Sequence, residues 1–275
     1  MTPITYTEFC RRLTEYGTAV HCEKYTYNYT AYYSAEKPGD AKYFYDRGCV
    51  ICTEDYEYGG KQWICRNVHQ VEPMAALDAV AEEQLADAKE YAKKFAAVVL
   101  NVVVFTVSNG DLPPEKNCFL GWRNYVRQGT PVTPDPRVRI LTEADADAIR
   151  ACCAPSLVPD GDSRWGQMEA ESFSDYDFQW AEKHGITLFG IFVDGVLAGI
   201  ATSLFVQDLD LAWLETIHVA PAYRRMGLGQ ALVLSALAAY PDKKWHYQAA
   251  RDNLPSVGLA KSLGFTLEGA GLFLV

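Results

Sequence analysis

The sequence predicts an α/β (α+β) protein with two domains. A smaller α+β domain is expected over residues 1–130, and a domain with a mixed, mostly antiparallel sheet flanked by helices over residues 137–275. Three observations indicate this class. Short β-branched runs alternate with stretches of helical period, tight-turn dipeptides join several runs, and prolines recur between Pro113 and Pro136, where periodicity is poor. We expect the linker between the domains in this proline-containing stretch.

The amino-acid composition indicates a globular protein and argues against nucleic-acid and membrane partners. The 275 residues are 49% hydrophobic and 22% charged, which is a globular composition. The net charge of -10, with no basic cluster longer than two residues, argues against a nucleic-acid partner. The first residues lack the pattern of a secretory signal, and the longest apolar run, 95–107, is too short to cross a bilayer. We therefore expect a cytoplasmic protein without a membrane partner, whose eight cysteines are reduced.

The N-terminal domain begins with a helical stripe and continues into strands. A helix is predicted over 7–16, and a β-hairpin over 49–68 with Gly59-Gly60 at its turn. Pro73 stands at the expected first turn of a long surface helix over 74–97, and the β-branched run 98–107 predicts a buried strand.

Part of this hairpin has the outline of a zinc site, because Cys49, Cys52, Cys65 and His69 are all metal-ligand types. A zinc knuckle needs a turn between its paired cysteines, whereas Val50-Ile51 is a pair of strand formers. In an extended strand, residues 49 and 52 point to opposite faces. The hairpin interpretation is therefore favoured over zinc, and we expect no metal.

The C-terminal domain has clear turn and cap signals. Thr142, with Asp145 three residues later, predicts a helix start, and Asp194-Gly195 predicts a tight hairpin turn. The predicted elements are a strand over 138–141, the helix capped by Thr142, a polar stretch over 159–174, a hairpin over 188–205, and a strand over 211–219 that completes a three-stranded meander.

The segment 214–232 predicts a strand, a turn and a helix start that together bind an anion. Pro221 stops the strand, and Gly227 and Gly229 let a ligand approach the main chain without meeting a Cβ. The first turn of the following helix has N–H groups without internal partners, and Arg224 and Arg225 add positive charge. We expect a pyrophosphate as the ligand.

Three families of glycine loop share part of this pattern. A P-loop requires Lys-Ser or Lys-Thr after the last glycine, where Gln230-Ala231 stands. A dinucleotide-binding loop requires a third glycine, where Leu232 stands. The remaining pattern, Arg224-x-x-Gly227-x-Gly229, resembles the acetyl-CoA signature of the GCN5-related N-acetyltransferases, the GNAT superfamily.

The resemblance extends beyond the loop and covers roughly residues 137–275. Val219-Ala220-Pro221 matches the turn before the signature, Asn253-Leu254-Pro255-Ser256 matches a second motif that opens a helix, and Leu263-Gly264-Phe265 matches the motif that ends it. The resemblance implies a GNAT-like sheet, acetyl-CoA as co-substrate, and transfer of the acetyl group to a primary amine by a direct ternary mechanism. The implied acceptor is a small-molecule amine or a peptide N-terminus, and a homodimer is compatible with it.

The resemblance also implies roles for particular residues. The backbone of Ile217 and Val219 would hold the pantetheine arm, and Asn253 would be a further cofactor contact. The implied pyrophosphate loop consists of Arg224, Arg225, Met226, Gly227, Leu228, Gly229 and Gln230. Many family members carry a phenol at the position of Ala260, as general acid for the leaving thiolate. Because this phenol is missing, Ser256 or a water molecule is left to assist.

A general base is also required, because an amine with a pKa near about 10.4 is mostly protonated at neutral pH. Period-two alternation places Glu215 on the same side as Ile217 and Val219, and His218 on the opposite side. Glu215 is the preferred base and His218 the alternative. Trp165, Glu169, Glu171 and Tyr176 in the polar region are candidates for acceptor contact.

Two other interpretations remain open from the sequence. The chain could be a non-catalytic acyl-CoA-binding module, in which the loop senses the cofactor and the N-terminal domain binds a partner. Alternatively, the N-terminal half could be a diverged second acetyltransferase fold. That half has no Arg-x-x-Gly-x-Gly signature, so it would not bind a second cofactor.

Overall fold

The computed structural model describes residues 1–16, 20–21, 25–28, 31–34, 40–106, 118–206 and 211–274. The chain divides into two compact units. The first comprises Met1–Asn124, Ala250–Asp252 and Leu267–Val275, and the second comprises Tyr125–Ala249 and Asn253–Thr266. The predicted mixed α/β class is confirmed. The units interleave along the chain, whereas the sequence predicts consecutive domains over 1–130 and 137–275.

The first unit contains a mostly antiparallel sheet with the strand order β1-β5-β6-β7-β8-β15 and a small separate sheet, β2-β3-β4. Its elements are β1 (Thr2–Pro3), α1 (Tyr6–Tyr16), β2 (Val20–His21), β3 (Tyr25–Asn28), β4 (Ala31–Ser34), β5 (Lys42–Asp46), β6 (Cys49–Tyr58), β7 (Lys61–Gln70), α2 (Leu77–Ala92), β8 (Val98–Thr106) and β15 (Thr266–Leu274).

The β6–β7 hairpin confirms the prediction for this segment. Gly59 and Gly60 both have positive φ, and the ladder runs without interruption from Tyr58–Lys61 to Cys49–Gln70. Helix α2 is shorter than predicted at both ends. It begins after Ala76, because Ala75 and Ala76 are hydrogen-bonded into a turn with Glu72 and Arg47.

The second unit has the strand order β9-β14-β13-β12-β11-β10, to which β9 contributes residues 125–128, since residues 118–124 of this strand belong to the first unit. Its elements are β9 (Cys118–Gln128), β10 (Val138–Ile140), α3 (Ala146–Leu157), α4 (Arg164–Ser174), α5 (Phe178–Lys183), β11 (Ile186–Val193), β12 (Val196–Val206), β13 (Leu211–Val219), α6 (Leu228–Ala239), β14 (Lys244–Ala250) and α7 (Leu254–Ser262). The predicted meander β11-β12-β13 is confirmed.

Local signals account for several of these elements. Asp194 and Gly195 have positive φ at the β11–β12 turn, and Thr142 and Asp145 form a capping box. The predicted linker over 113–136 is wrong for 118–128, which form β9. These residues form a strand because they pair with β14. At the end of this pairing, the Gly129 N–H donates to the Lys243 carbonyl at 2.8 Å. Residues 113–117 lie outside the described part of the chain.

The helices of the second unit cover opposite faces of its sheet. Ile200 belongs to a core with Ile149 and Cys153 of α3 and Phe173 of α4. The adjacent residue, Gly199, points the other way and lies against Leu232 of α6. We call these the α3–α4 face and the α6 face. Among the described residues, no helix is long and apolar enough to cross a membrane.

Candidate active site

The central feature of the second unit is a wedge between two parallel strands. Strands β13 and β14 pair only over four positions, from Leu211–Lys244 to Leu214–Tyr247, and then diverge. Strand β13 stays paired with β12 as far as Val219. The segment from Glu215 to Val219 therefore borders an opening on its β14 side, which we call the wedge.

A β-bulge lies at the apex of the wedge. Leu214 pairs with Ser203 and Ile217 with Ala201, so that two residues of β13 face the single residue Thr202. The Thr216 N–H donates to the buried Thr202 hydroxyl at 3.0 Å, which holds the bulge in place. Because directly opposite residues share a face, Leu214 and Ile217 lie on one face although they are three residues apart.

The bulge overturns the predicted face assignment. Glu215 does not share a face with Ile217 and Val219, because the extra residue interrupts the alternation on which that prediction depended. Glu215 lies instead on the α3–α4 face, together with His218. The charge of Glu215 acts on the Tyr176 phenol that follows α4, and His218 lies near the backbone of Cys152 in α3.

The backbone of Ile217 and Val219 faces the wedge. The Ala220 N–H donates to the Ala198 carbonyl at 3.0 Å, so the backbone groups of alternate residues, including His218, point toward β12. Those of Ile217 and Val219 point the other way, into the wedge. The Val219 carbonyl accepts a hydrogen bond from Arg224 Nε at 2.9 Å. The predicted pantetheine contacts therefore lie along an open strand edge.

The loop after β13 ends in a helix start suited to an anion. Arg225 and Gly227 have φ of 64° and 75°, and α6 begins at Leu228 without a side-chain cap. The first internal bond of α6 runs from the Ala231 N–H to the Gly227 carbonyl at 3.0 Å. The N–H groups of Leu228, Gly229 and Gln230 thus point out of the helix end. Met226 beside them is exposed, and this end of the helix carries partial positive charge.

Arg224 is engaged differently from the sequence-based expectation. Its guanidinium forms a two-pronged ion pair with Asp162, whose side chain is only 2% exposed. Burial alone would raise the pKa of Asp162, but hydrogen bonds from Arg224, Ser156 and the Ser163 backbone lower it to about 2. This pair ties the loop to the start of α4. Sequence reasoning missed Asp162, since nothing local distinguishes it from a surface aspartate.

The two candidate bases, Glu215 and His218, differ in solvent exposure and in the direction in which burial shifts their pKa. Glu215 keeps part of its surface exposed, although the protein atoms around it raise its pKa by desolvation. His218 is fully buried, and this burial, with a smaller effect of Arg224, lowers its pKa to about 4. The arrangement favours Glu215, since His218 is neutral and enclosed at neutral pH.

A hydrogen-bonded chain of four residues joins α4, α7 and β14. Asn253 Nδ2 donates to Glu169 Oε1 at 3.3 Å, and Asn253 Oδ1 accepts the Ser256 N–H at 3.3 Å, which caps α7. Ser256 Oγ lies 2.7 Å from the Tyr247 hydroxyl. We call this set the Glu169–Tyr247 chain. It brings together the predicted residues Asn253 and Ser256 and adds Tyr247, which the sequence did not single out.

The other predicted residues are placed less specifically. Glu171 is exposed on α4, Trp165 is contacted by the Arg164 guanidinium at 5.0 Å from its ring, and Ala260 is fully buried. In the described ranges, no three or more His, Cys, Asp or Glu side chains are grouped as a metal would require. Val50 and Ile51 lie within β6, as the hairpin interpretation predicts.

Comparisons with known proteins agree with this geometry. The family model described as Acetyltransferase (GNAT) family matches residues 155–265, which include the bulge, the loop and α7. No curated protein sequence matches the chain.

Solved structures with a similar fold include three acetyltransferases. A tandem GNAT protein from the clavulanic acid biosynthesis pathway is 14% identical, with coverage of 99% of this chain and 96% of that one and a TM-score of 0.49. A GNAT-family acetyltransferase from Colwellia psychrerythraea is 14% identical, with 100% and 99% coverage and a TM-score of 0.49. A GCN5-related N-acetyltransferase from Sphaerobacter thermophilus is 11% identical, with 82% and 75% coverage and a TM-score of 0.49. Together with the wedge and the uncapped helix start, the family match shows that this chain carries a domain of the GNAT superfamily over residues 155–265.

Proposed function

We propose that the protein is an N-acetyltransferase that transfers an acetyl group from acetyl-CoA to a primary amine in a direct ternary complex. The acceptor is a small-molecule amine or a peptide N-terminus. The observation that carries the proposal is the position of the wedge, which opens along β13 and ends beside the uncapped start of α6. An extended ligand with an anionic end fits such an arrangement.

The residues of the second unit fit acetyl-CoA, which supplies the reactive thioester when bound. The edge of β13 at Ile217 and Val219 would bind the amide-containing arm. The first turn of α6 would bind the pyrophosphate through backbone N–H groups, with Arg225 adding positive charge. Arg224 would act by fixing the loop through Asp162, and Asn253 would contact the cofactor from the start of α7. The transferase domain in this proposal spans residues 137–275.

Glu215 would accept the proton that the amine nitrogen loses. It lies in the bulge at the wedge, it reaches solvent, and its pKa is raised by burial, which makes it a stronger base than an ordinary glutamate. Most of the rate would come from holding the amine and the thioester in a reactive geometry.

A non-catalytic acyl-CoA sensor is the second candidate, and the buried methyl group of Ala260 favours it, since the phenol of the family is missing there. The experiment that separates the two measures release of free thiol from acetyl-CoA by the purified protein, with and without a panel of primary amines. An acetyltransferase accelerates thiol release when its acceptor is present. Acetyl-CoA binding in a calorimetric titration, without acceleration by any amine, would favour the sensor.

The proposal also places the enzyme in the cytoplasm. Among the described residues, Cys10, Cys49, Cys52, Cys65, Cys152 and Cys153 form no disulfide, and five of these six cysteines are buried. Buried thiols of this kind are ordinary packing groups in a reducing compartment. Measuring the protein in cell fractions would test the location.

A further inference from the structure

We propose that Glu169 is the general acid of the acetyl transfer and gives its proton to the departing sulfur, while Glu215 takes the proton from the amine nitrogen. This inference rests on the proposed function, and it assigns the role that the family gives to a phenol at the position of Ala260.

Neither Ala260, which stands at the position of the family's phenol, nor Tyr247 can supply the acid. Ala260 has only a methyl group, which is fully buried in α7. The Tyr247 phenol is close to α7, but its pKa is raised by burial, and its hydroxyl is hydrogen-bonded to Ser256. A phenol that holds its proton this strongly is a poor donor to a thiolate with an ordinary pKa near about 8.5. Tyr247 is therefore suited to positioning Ser256 and not to giving up a proton.

Glu169 of α4 brings a carboxyl group to the first turn of α7. Helix α4 packs against β13, and Glu169 accepts a hydrogen bond from Asn253 at the first turn of α7. Its charge acts on Tyr247, which pairs with Leu214 at the last joined position of β13 and β14. Glu169 thus lies beside the apex of the wedge, on the α3–α4 face that also bears Glu215.

The surroundings of Glu169 favour a carboxyl that is partly protonated at neutral pH. Burial raises its pKa to about 7, while the Asn253 hydrogen bond and the positive charge of Arg224 lower it and the negative charge of Asp162 raises it. Tyr247, the titratable group facing it from β14, is neutral in this range. Two carboxyl groups in different environments commonly divide into an acid and a base.

The proposed step balances. A C–N bond forms between the amine and the acetyl carbon, and the C–S bond of the thioester breaks. The proton lost by nitrogen passes to the Glu215 carboxylate, and the proton of the Glu169 carboxyl passes to sulfur. The products are the acetylated amine and the free thiol, and exchange with water returns both carboxyl groups to their starting states.

The assignment predicts the shape of the pH profile. Glu215 must be ionised, so activity falls at low pH as this carboxylate is protonated. Glu169 must be protonated, so activity also falls as the pH rises through about 7. The high-pH limb belongs to Glu169.

The test compares Glu169→Gln with Glu182→Gln, an exposed glutamate on α5 that has no part in the proposed site. Thiol release from acetyl-CoA is measured between about pH 5 and pH 9, so that the titration of both carboxyl groups, Glu169 and Glu215, is covered. The acceptors are hydroxylamine, as a small probe, and a panel of primary amines. We expect Glu169→Gln to lower kcat by about 10²–10³-fold and to remove the high-pH limb. Acetyl-CoA affinity by calorimetry should be unchanged, and Glu182→Gln should behave like the unmodified protein.

Two outcomes would overturn the assignment. The first is a Glu169→Gln protein with full kcat and an intact high-pH limb, particularly if Tyr247→Phe removes that limb instead. The second outcome comes from an infrared titration of protein with ¹³C-labelled glutamate, which does not depend on activity. The assignment predicts a carboxyl band that titrates near neutral pH and is missing in Glu169→Gln. A band titrating at the ordinary value, about 4.3, refutes the assignment alone, whereas absence of amine-dependent thiol release in the unmodified protein refutes the proposed function with it.

Discussion

The two units contain the same succession of elements, yet within the described residues the features of a cofactor site occur in the second unit and not in the first. In both, two antiparallel strands lead to a third, a helix crosses over, and the next strand pairs in parallel with the third: β5-β6-β7-α2-β8 and β11-β12-β13-α6-β14. Both third strands even carry a fully buried histidine at the penultimate position, His69 and His218. This order supports the interpretation of the first unit as a diverged second acetyltransferase fold.

The difference lies in three local features. Strand β7 pairs with β8 over eight positions, and its ladder with β6 has no register shift, so this pair of strands stays closed where β13 and β14 separate. Helix α2 begins at Leu77 after Ala76, with Asp78 in its first turn, where negative charge opposes anion binding. The order of elements thus provides the scaffold, whereas a bulge, a wedge and a glycine loop provide the site.

The largest expected effect on turnover comes from replacing Glu215 in the bulge. Glu215→Gln should lower turnover by about 10²–10⁴-fold with nearly unchanged acetyl-CoA affinity, because it removes the proton acceptor and leaves the loop intact. Activity of the unmodified protein should fall at low pH, since the raised pKa belongs to a carboxyl group that must be ionised. Steady-state kinetics across pH checks both points. Full activity in Glu215→Gln, with the low-pH limb lost only in His218→Ala, would make His218 the base.

The next largest effect, on acetyl-CoA affinity, concerns the glycine loop of the second unit. Gly227→Val should reduce acetyl-CoA affinity at least about 100-fold, or about 2.7 kcal/mol, because a β-branched side chain is strained at a φ of 75° and would stand before the helix N–H groups. Gly60→Val in the first unit, at a φ of 70°, is a matched control for strain and should leave affinity unchanged. Unaltered affinity in a calorimetric titration of folded Gly227→Val would contradict the proposed site.

A smaller effect is expected where Asp162 holds the loop. Lowering the Asp162 pKa from 3.8 to about 2 corresponds to roughly 2 kcal/mol of folding stability at neutral pH. This stability is present above the unfolded pKa and is lost as the pH falls through the folded pKa. Urea unfolding of Asp162→Asn should show the deficit at pH 7 and a shrinking one toward pH 2. Asp147, which is exposed and pairs with Arg150, provides the control, and Asp147→Asn should lose little folding stability. An equal, pH-independent loss of stability in both variants would disprove the role of Asp162.

The smallest expected effect tests whether the first unit has a metal site of its own. Purified protein should contain no stoichiometric zinc by elemental analysis, because Cys49 and Cys52 belong to one continuous strand. Structural zinc contributes about 10–16 kcal/mol of apparent binding free energy in small modules, so a real site would survive purification. One equivalent of zinc, lost together with folding in Cys49→Ser, would show instead that the first unit has a separate role as a metal-binding unit.

Local patterns predicted much of this fold, and long-range contacts explain what they missed. The turns at Gly59-Gly60 and Asp194-Gly195 and the cap at Thr142 have chemistry confined to a few residues. The bulge depends on Thr202, in a neighbouring strand, bonding to Thr216, so strict alternation misplaced Glu215. The partners of Arg224 and Ser256, Asp162 and Tyr247, are likewise set by packing that no local pattern encodes.

The last strand of the chain has a consequence for biosynthesis. Strand β15 pairs with β8 from Ala270–Thr106 to Leu274–Val102, so a strand that follows α7 in the sequence completes the sheet of the first unit. Until β15 has been synthesised, this edge of β8 is unprotected and has a row of unpaired backbone groups. The first unit therefore stays incomplete while the elements between β8 and β15 are made, and a nascent chain interrupted before β15 would present an aggregation-prone edge to its neighbours.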